Sequence, residues 1–141
     1  MMKHFLTLSI AALLCNYLVA QDSPAGHMIK ARVIGLRPAD GTMLFIGLLD
    51  AEGQSMDGRR VPVEAETMDV DFGPVACGTY AIRLFVDENG NGEVDLGLFK
   101  IPKEGVGCSN NAVGFMSAPA IKDMLFEVRG PKAVGIALKY Y

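Results

Sequence analysis

The sequence predicts an all-β fold: an Ig-like or transthyretin-like two-sheet β-sandwich of about seven or eight strands after a signal peptide. Three observations predict it. Short apolar runs recur roughly every ten residues, separated by glycine, proline and polar turn residues. Several of these runs alternate apolar and polar residues with the period of a strand. No segment sustains the spacing of a long amphipathic helix.

The chain opens with Lys3 and His4 ahead of an apolar stretch, Phe5 to Leu14. Its length of about ten residues suits a signal-peptide core and falls short of the roughly 20 that span a bilayer. Cleavage after Ala20 is expected, giving a signal peptide over 1–20 and a single domain over 21–141. A lipid anchor on Cys15 is the disfavoured reading, because Leu14 stands where a small residue is needed. The domain is therefore expected to work outside the cytoplasm, in the periplasm or the extracellular space. Removing Lys3 with the signal leaves 12 basic against 16 acidic residues, a net charge of −4. No basic cluster beyond Arg59-Arg60 offers a footprint for nucleic acid. No later stretch approaches the length of a transmembrane segment.

Each strand has its own signature. Met28 to Leu36 sets Ile29, Ala31 and Val33 against Lys30 and Arg32. After the turn Pro38-Ala39-Asp40-Gly41, the continuous apolar run Met43 to Leu49 predicts a central strand buried on both sides. Asp50 to Arg60 reads as an exposed polar loop, and Val61 to Glu66 as an edge strand, since Pro62 removes a ladder donor. Val70 and Phe72 mark the next strand. Thr79 to Val86 is the strongest, with Tyr80, Ile82, Leu84 and Val86 on one face. Gly78-Thr79-Tyr80 at its start predicts a tyrosine corner. Pro119 to Leu125 suits a single helical turn, and Gly130-Pro131 reads as a hairpin-like turn between strands at Leu125–Arg129 and Ala133–Tyr140.

The strongest strand runs into Asp87-Glu88-Asn89-Gly90-Asn91-Gly92-Glu93-Val94-Asp95. Asp87, Asn89 and Asn91 occupy positions 1, 3 and 5 of a calcium loop, Gly92 position 6, Glu93 position 7 (through its carbonyl) and Asp95 position 9. Calcium needs six to eight oxygens, and a chain curling around the ion supplies them from alternate side chains if a glycine permits the sharp turn. Position 12, normally a bidentate glutamate, is Leu98. Glu104 is the nearest substitute if the following segment folds back, and affinity would be weak, about 10⁻⁴ to 10⁻³ M. The same Asn-Gly pairs also suit a metal-free turn.

Cys77 and Cys108 form an even pair that either bridges in an oxidising compartment or stands as two small hydrophobes. A bridge requires α-carbons within about 7 Å.

Beyond the loop lies a glycine-rich and polar segment, Ile101 to Ala112, long enough for an ordered functional loop. Together with Gly78-Thr79-Tyr80 and Asp87–Asp95, its Ile-Pro-Lys-Glu-Gly start and Ser109-Asn110 resemble the bacterial exported family known as domain of unknown function 2141. The resemblance is carried by Gly78 to about Pro119 and extends weakly over the rest of the domain. It implies a secreted β-sandwich of no assigned activity. The chain departs from the family's pattern at Val106 and Cys108, where bulkier or aromatic residues are expected, and at Cys77.

Three functions compete. The first is a non-catalytic binding or structural module, with Lys103, Glu104, Ser109 and Asn110 presented to a glycan, a peptide or another envelope or extracellular protein. The second is an envelope hydrolase using loop carboxylates among Glu88, Glu93 and Glu104. No nucleophile elbow or zinc-ligand spacing supports it, and His27 is the domain's one histidine. The third is an assembly protein that pairs through the Val61–Glu66 edge.

Overall fold

A computed structural model describes residues 26–114 and 117–141. The expected signal peptide over 1–20, its cleavage point and Cys15 lie outside these residues. The eight strands are β1 (His27–Ile34), β2 (Met43–Leu49), β3 (Ser55–Pro62), β4 (Thr67–Val75), β5 (Gly78–Asp87), β6 (Val106–Cys108), β7 (Phe126–Val128) and β8 (Lys132–Ala137). A single turn of helix, α1 (Ile121–Met124), precedes β7. Two sheets result, as the alternation predicts. The smaller has the order β4-β1-β8, with β1 antiparallel to β4 and parallel to β8. The larger runs β3-β2-β5-β6, and β7 lies beside another part of the same β5 edge.

The alternating positions decide which faces meet. Ile29, Ala31 and Val33 of β1, Phe72 of β4 and Ile136 of β8 pack inward against Leu44 and Leu48 of β2 and Ile82 and Val86 of β5. Burying each large aliphatic or aromatic side chain contributes about 1.5–3 kcal/mol. Lys30 and Arg32 point to solvent from β1, as expected, opposite Asp71 and Asp69 of β4. The tyrosine corner is present: buried Tyr80 donates its hydroxyl to the carbonyl of Ala76 at 2.8 Å.

Three expectations need correction. β2 is central, but it is not buried on both sides: Met43, Phe45 and Gly47 on its outer face are only half-buried, because among the described residues no second layer covers that part of the sheet. The stretch read as a polar loop ending at Arg60 contains most of β3, and the edge strand is Ser55–Pro62 rather than Val61–Glu66. Most of β3 faces water, so its backbone ladder to β2, and not apolar burial, makes it a strand. The true turn is Asp50–Gln54, where one Asp50 carboxylate oxygen accepts the N–H groups of Glu52 and Gln54. Nor does Gly130-Pro131 close a hairpin. β7 pairs with β5 and β8 with β1, so the turn carries the chain from one sheet to the other. Among the described residues, no helix is long and apolar enough to cross a membrane.

Candidate functional site: a clamped loop and a groove on the larger sheet

At the end of β5 the chain curls around its own carboxylates. Asp87 is fully buried, and its two oxygens accept the N–H groups of Gly90 and Gly92, each at 2.8 Å. Both glycines have positive φ, 78° and 76°, which lets the backbone aim those N–H groups inward. The side-chain oxygens of Asn89 and Asn91 accept the N–H groups of Asn91 and Glu93 at 3.1 and 2.9 Å. Their amide nitrogens donate to Asp95, the Asn91 contact measuring 2.7 Å. The following segment does fold back. Buried Glu104 accepts the N–H of Glu88 at 2.9 Å and that of Asp95 at 3.3 Å, gripping the loop from both flanks. Each oxygen of Asp87 and Glu104 thus has a backbone partner. Glu93 projects into solvent. Among the described residues, no group of three or more His, Cys, Asp or Glu side chains is arranged to hold a metal.

The Ile101–Ala112 segment differs from the expected presenting loop. Ser109 is fully buried, accepting the N–H of Ile82 at 2.9 Å and reaching the carbonyl of Met124. The Asn110 amide donates to the carbonyls of Asp123 and Leu125. These two polar groups hold the fold together, and of the four residues expected to be presented, only Lys103 turns an uncommitted side chain to solvent.

Cys77 and Cys108 are both free, which corrects the disulfide reading. Cys108 pairs beside Arg83 on β5, whereas Cys77 precedes the start of that strand. The five steps of strand from Gly78 to Arg83 alone span roughly 16 Å at about 3.3 Å per residue, far beyond bridging distance. Exposed Cys77 lies 3.2 Å from the His27 ring. Cys108 is buried among Leu49, Ala81 and Met124, and burial pushes its thiol pKa up. Alkylation of the native protein with iodoacetamide near pH 8 should therefore label Cys77 and leave Cys108 unmodified until the chain is denatured, as read by peptide mass. Equal labelling of both would contradict this packing.

The feature that the sequence did not reveal is a groove of about 970 Å³ on the outer face of the larger sheet. Phe45 and Phe85, cross-strand neighbours, stack with centroids 4.8 Å apart and planes 6° from parallel. Arg60 lies over the Phe45 ring, 5.4 Å from its centroid. Leu96, Phe99 and Ile101 from the loop after β5, and Val113 from the segment after β6, add exposed apolar walls. Alternation along β5 puts Ala81, Arg83 and Phe85 on the face opposite Tyr80, Ile82, Leu84 and Val86, but it does not reveal which residues of β2 and β3 lie beside them.

These features define a β-sandwich with one self-clamped loop and one open, largely apolar groove. The chain belongs to the family described as an uncharacterized protein conserved in bacteria (DUF2141), whose model matches residues 32–135, from within β1 to within β8. No curated protein and no solved structure matches the chain.

Proposed function

We propose that this protein is an exported, non-catalytic binding module that takes its ligand in the groove on the outer face of the larger sheet. The observation that carries this reading is the groove itself, about 970 Å³, at the upper end of the ~300–1,000 Å³ common for small-molecule sites. A concentration of exposed large apolar side chains such as Phe99 (74% exposed) and Val113 (58%) around one concavity is characteristic of a binding surface. Binding is favoured over the hydrolase alternative by the lining. Its described side chains are apolar, cationic or neutral polar, with no carboxylate or imidazole for proton transfer. Glu104, a candidate for that chemistry, instead has both oxygens on backbone N–H groups.

Nile red, an uncharged apolar dye, tests the site without presuming a ligand. Saturable fluorescence enhancement with the native protein is expected, and Phe99→Asp with Val113→Asp should remove it while leaving the melting temperature within about 2 °C, since exposed positions contribute little. A native protein that gives no saturable enhancement would overturn the reading.

A second reading, calcium at Asp87, Asn89, Asn91, Glu93 and Asp95, rests on the loop spacing, and it requires the Asn89 and Asn91 amides to turn their oxygens, in place of the nitrogens that now donate to Asp95, toward the ion. Those residues would supply the oxygens, and the ion would fix the loop beside the groove. Calorimetric titration should show saturable heat and a raised melting temperature, both lost in Asp95→Ala. No heat up to about 10 mM, above the weak end for such loops, would remove calcium from the account.

A further inference from the structure

Within that groove, two glycines stand where strands normally place side chains. Gly47 of β2 pairs directly with Gly58 of β3 on one side and with Arg83 of β5 on the other, and Arg83 pairs with Cys108 of β6. All four residues belong to one row across the outer face. The next row is Arg60, Phe45, Phe85 and Val106. On the other side stand Leu49, paired with the fully buried Ala81, and Met124, which packs in the same cluster. The glycine row is therefore a trough between an aromatic wall and an aliphatic one.

The fold does not require these glycines. Neither has the positive φ that favours glycine. A Cβ built on Gly58 would meet nothing within 4 Å, and one on Gly47 would meet only the Asp57 carbonyl, in ordinary contact at 3.8 Å. Glycine in a strand interior costs stability and commonly marks close approach by a ligand or another backbone. Here no other part of the described protein fills the space above Gly58.

Charge gives the second constraint. The chain carries 16 acidic residues against 13 basic ones, yet the described side chains that line the groove include Arg59, Arg60, Arg83, Lys100 and Lys139 and no carboxylate. Arg59 is paired with Asp57 at 2.7 Å. Arg83, at the end of the glycine pair, is exposed and has no ion pair among the described residues. Ring faces supply the third constraint. Phe45 is covered by Arg60 on one side and Phe85 on the other, so its edge, not a free face, meets the groove. A sugar ring seeking an aromatic platform would not find one on Phe45. A linear apolar chain would find a slot one side-chain row wide, running about 10 Å from Gly58 to Arg83 at roughly 4.8 Å between strands.

We infer that the groove binds a single-chain amphipathic carboxylate, its head on the Arg83 guanidinium and its acyl chain in the Gly47–Gly58 trough. The inference rests on the groove being a binding site, and it specifies the class of ligand. Guanidinium suits the head because its planar donors match a carboxylate bidentately.

Laurate and the uncharged monolaurin, both kept below their micelle-forming concentrations, separate the parts of this proposal by calorimetric titration into the purified protein. Laurate should bind saturably, and more tightly than monolaurin. Arg83→Gln should weaken laurate by about tenfold or more, the loss of a charge-assisted contact, and leave monolaurin unchanged. Gly58→Val should abolish laurate binding with an unchanged or raised melting temperature, because a β-branched residue suits an open strand position. Equal affinity for the two ligands and indifference to Arg83→Gln would overturn the carboxylate assignment. Retained laurate binding in a folded Gly58→Val would overturn the trough. If neither lipid binds while Nile red does, the ligand class fails and the binding site stands; if Nile red also fails, both fall.

Discussion

Asp87→Ala should lower the stability of the protein by about 3 kcal/mol, the joint worth of two hydrogen bonds to a buried charge after partial rehydration of their donors. Gly90 and Gly92 are exposed, so their freed N–H groups regain water, which limits the loss. For a domain of this size the change corresponds to a melting temperature roughly 10–15 °C lower. Asp87→Asn retains one acceptor oxygen and should lose about half as much. Glu104→Ala should be less than additive with Asp87→Ala, because the two carboxylates hold one loop from different sides. Circular dichroism on heating checks all four proteins. A shift of less than about 2 °C for Asp87→Ala would show that the loop holds its shape without the clamp.

The loop was partly legible in the sequence because its chemistry is local. Asp87, Asn89, Asn91 and Asp95 sit within nine residues, and their spacing alone announces side chains turned toward one centre. Glu104 could be nominated as a partner for the same reason: it is a carboxylate a short distance along the chain. What that spacing leaves open is the identity of the donors. A ring of oxygens around a cation and a ring of oxygens around backbone N–H groups require much the same residues.

Strands with one buried face were also legible, whereas the half-exposed outer face of β2 was not. β1 and β5 alternate, and β2 is continuously apolar because it is central and its outer face carries Phe45 and Leu49. β3 was not, since an edge strand with most of its surface in water has no reason to alternate. The groove was illegible for a stronger reason. Gly47, Gly58 and Arg83 are separated by 11 and 25 residues, and only the register of three strands, including an irregularity next to Leu49, brings them into one row. Ser109 and Asn110 misled in the opposite direction. Polar residues in a glycine-rich stretch look available for a partner, yet both side chains answer to backbone groups of the protein itself.

Ser109→Ala should cost about 2–4 kcal/mol although it removes one oxygen atom. The reason lies in how the β5 edge is covered. β7 pairs with Gly78–Tyr80 and β6 with Arg83–Phe85, which leaves a seam at Ile82 between two short strands. Ile82 is fully buried, and a strand partner for its N–H is missing there. The Ser109 hydroxyl takes that role, accepting the Ile82 N–H at 2.9 Å while its proton is directed toward the Met124 carbonyl, with the Ile82 carbonyl nearby at 3.3 Å. One side chain thereby joins β5, the turn after β6 and the helical turn before β7. Alanine leaves a buried N–H unpaired, at about 1–3 kcal/mol, and removes a further hydrogen bond worth roughly 1 kcal/mol. Urea denaturation should show the loss, and amide exchange should locate it, with the Ile82 N–H exchanging faster than those of β2. A variant within 1 kcal/mol of the native protein, its Ile82 amide still protected, would mean that another group or a water molecule can close the seam. Because this seam supports the floor of the groove at Arg83 and Cys108, such a result would also predict unchanged dye binding, whereas a loosened seam should weaken it along with stability.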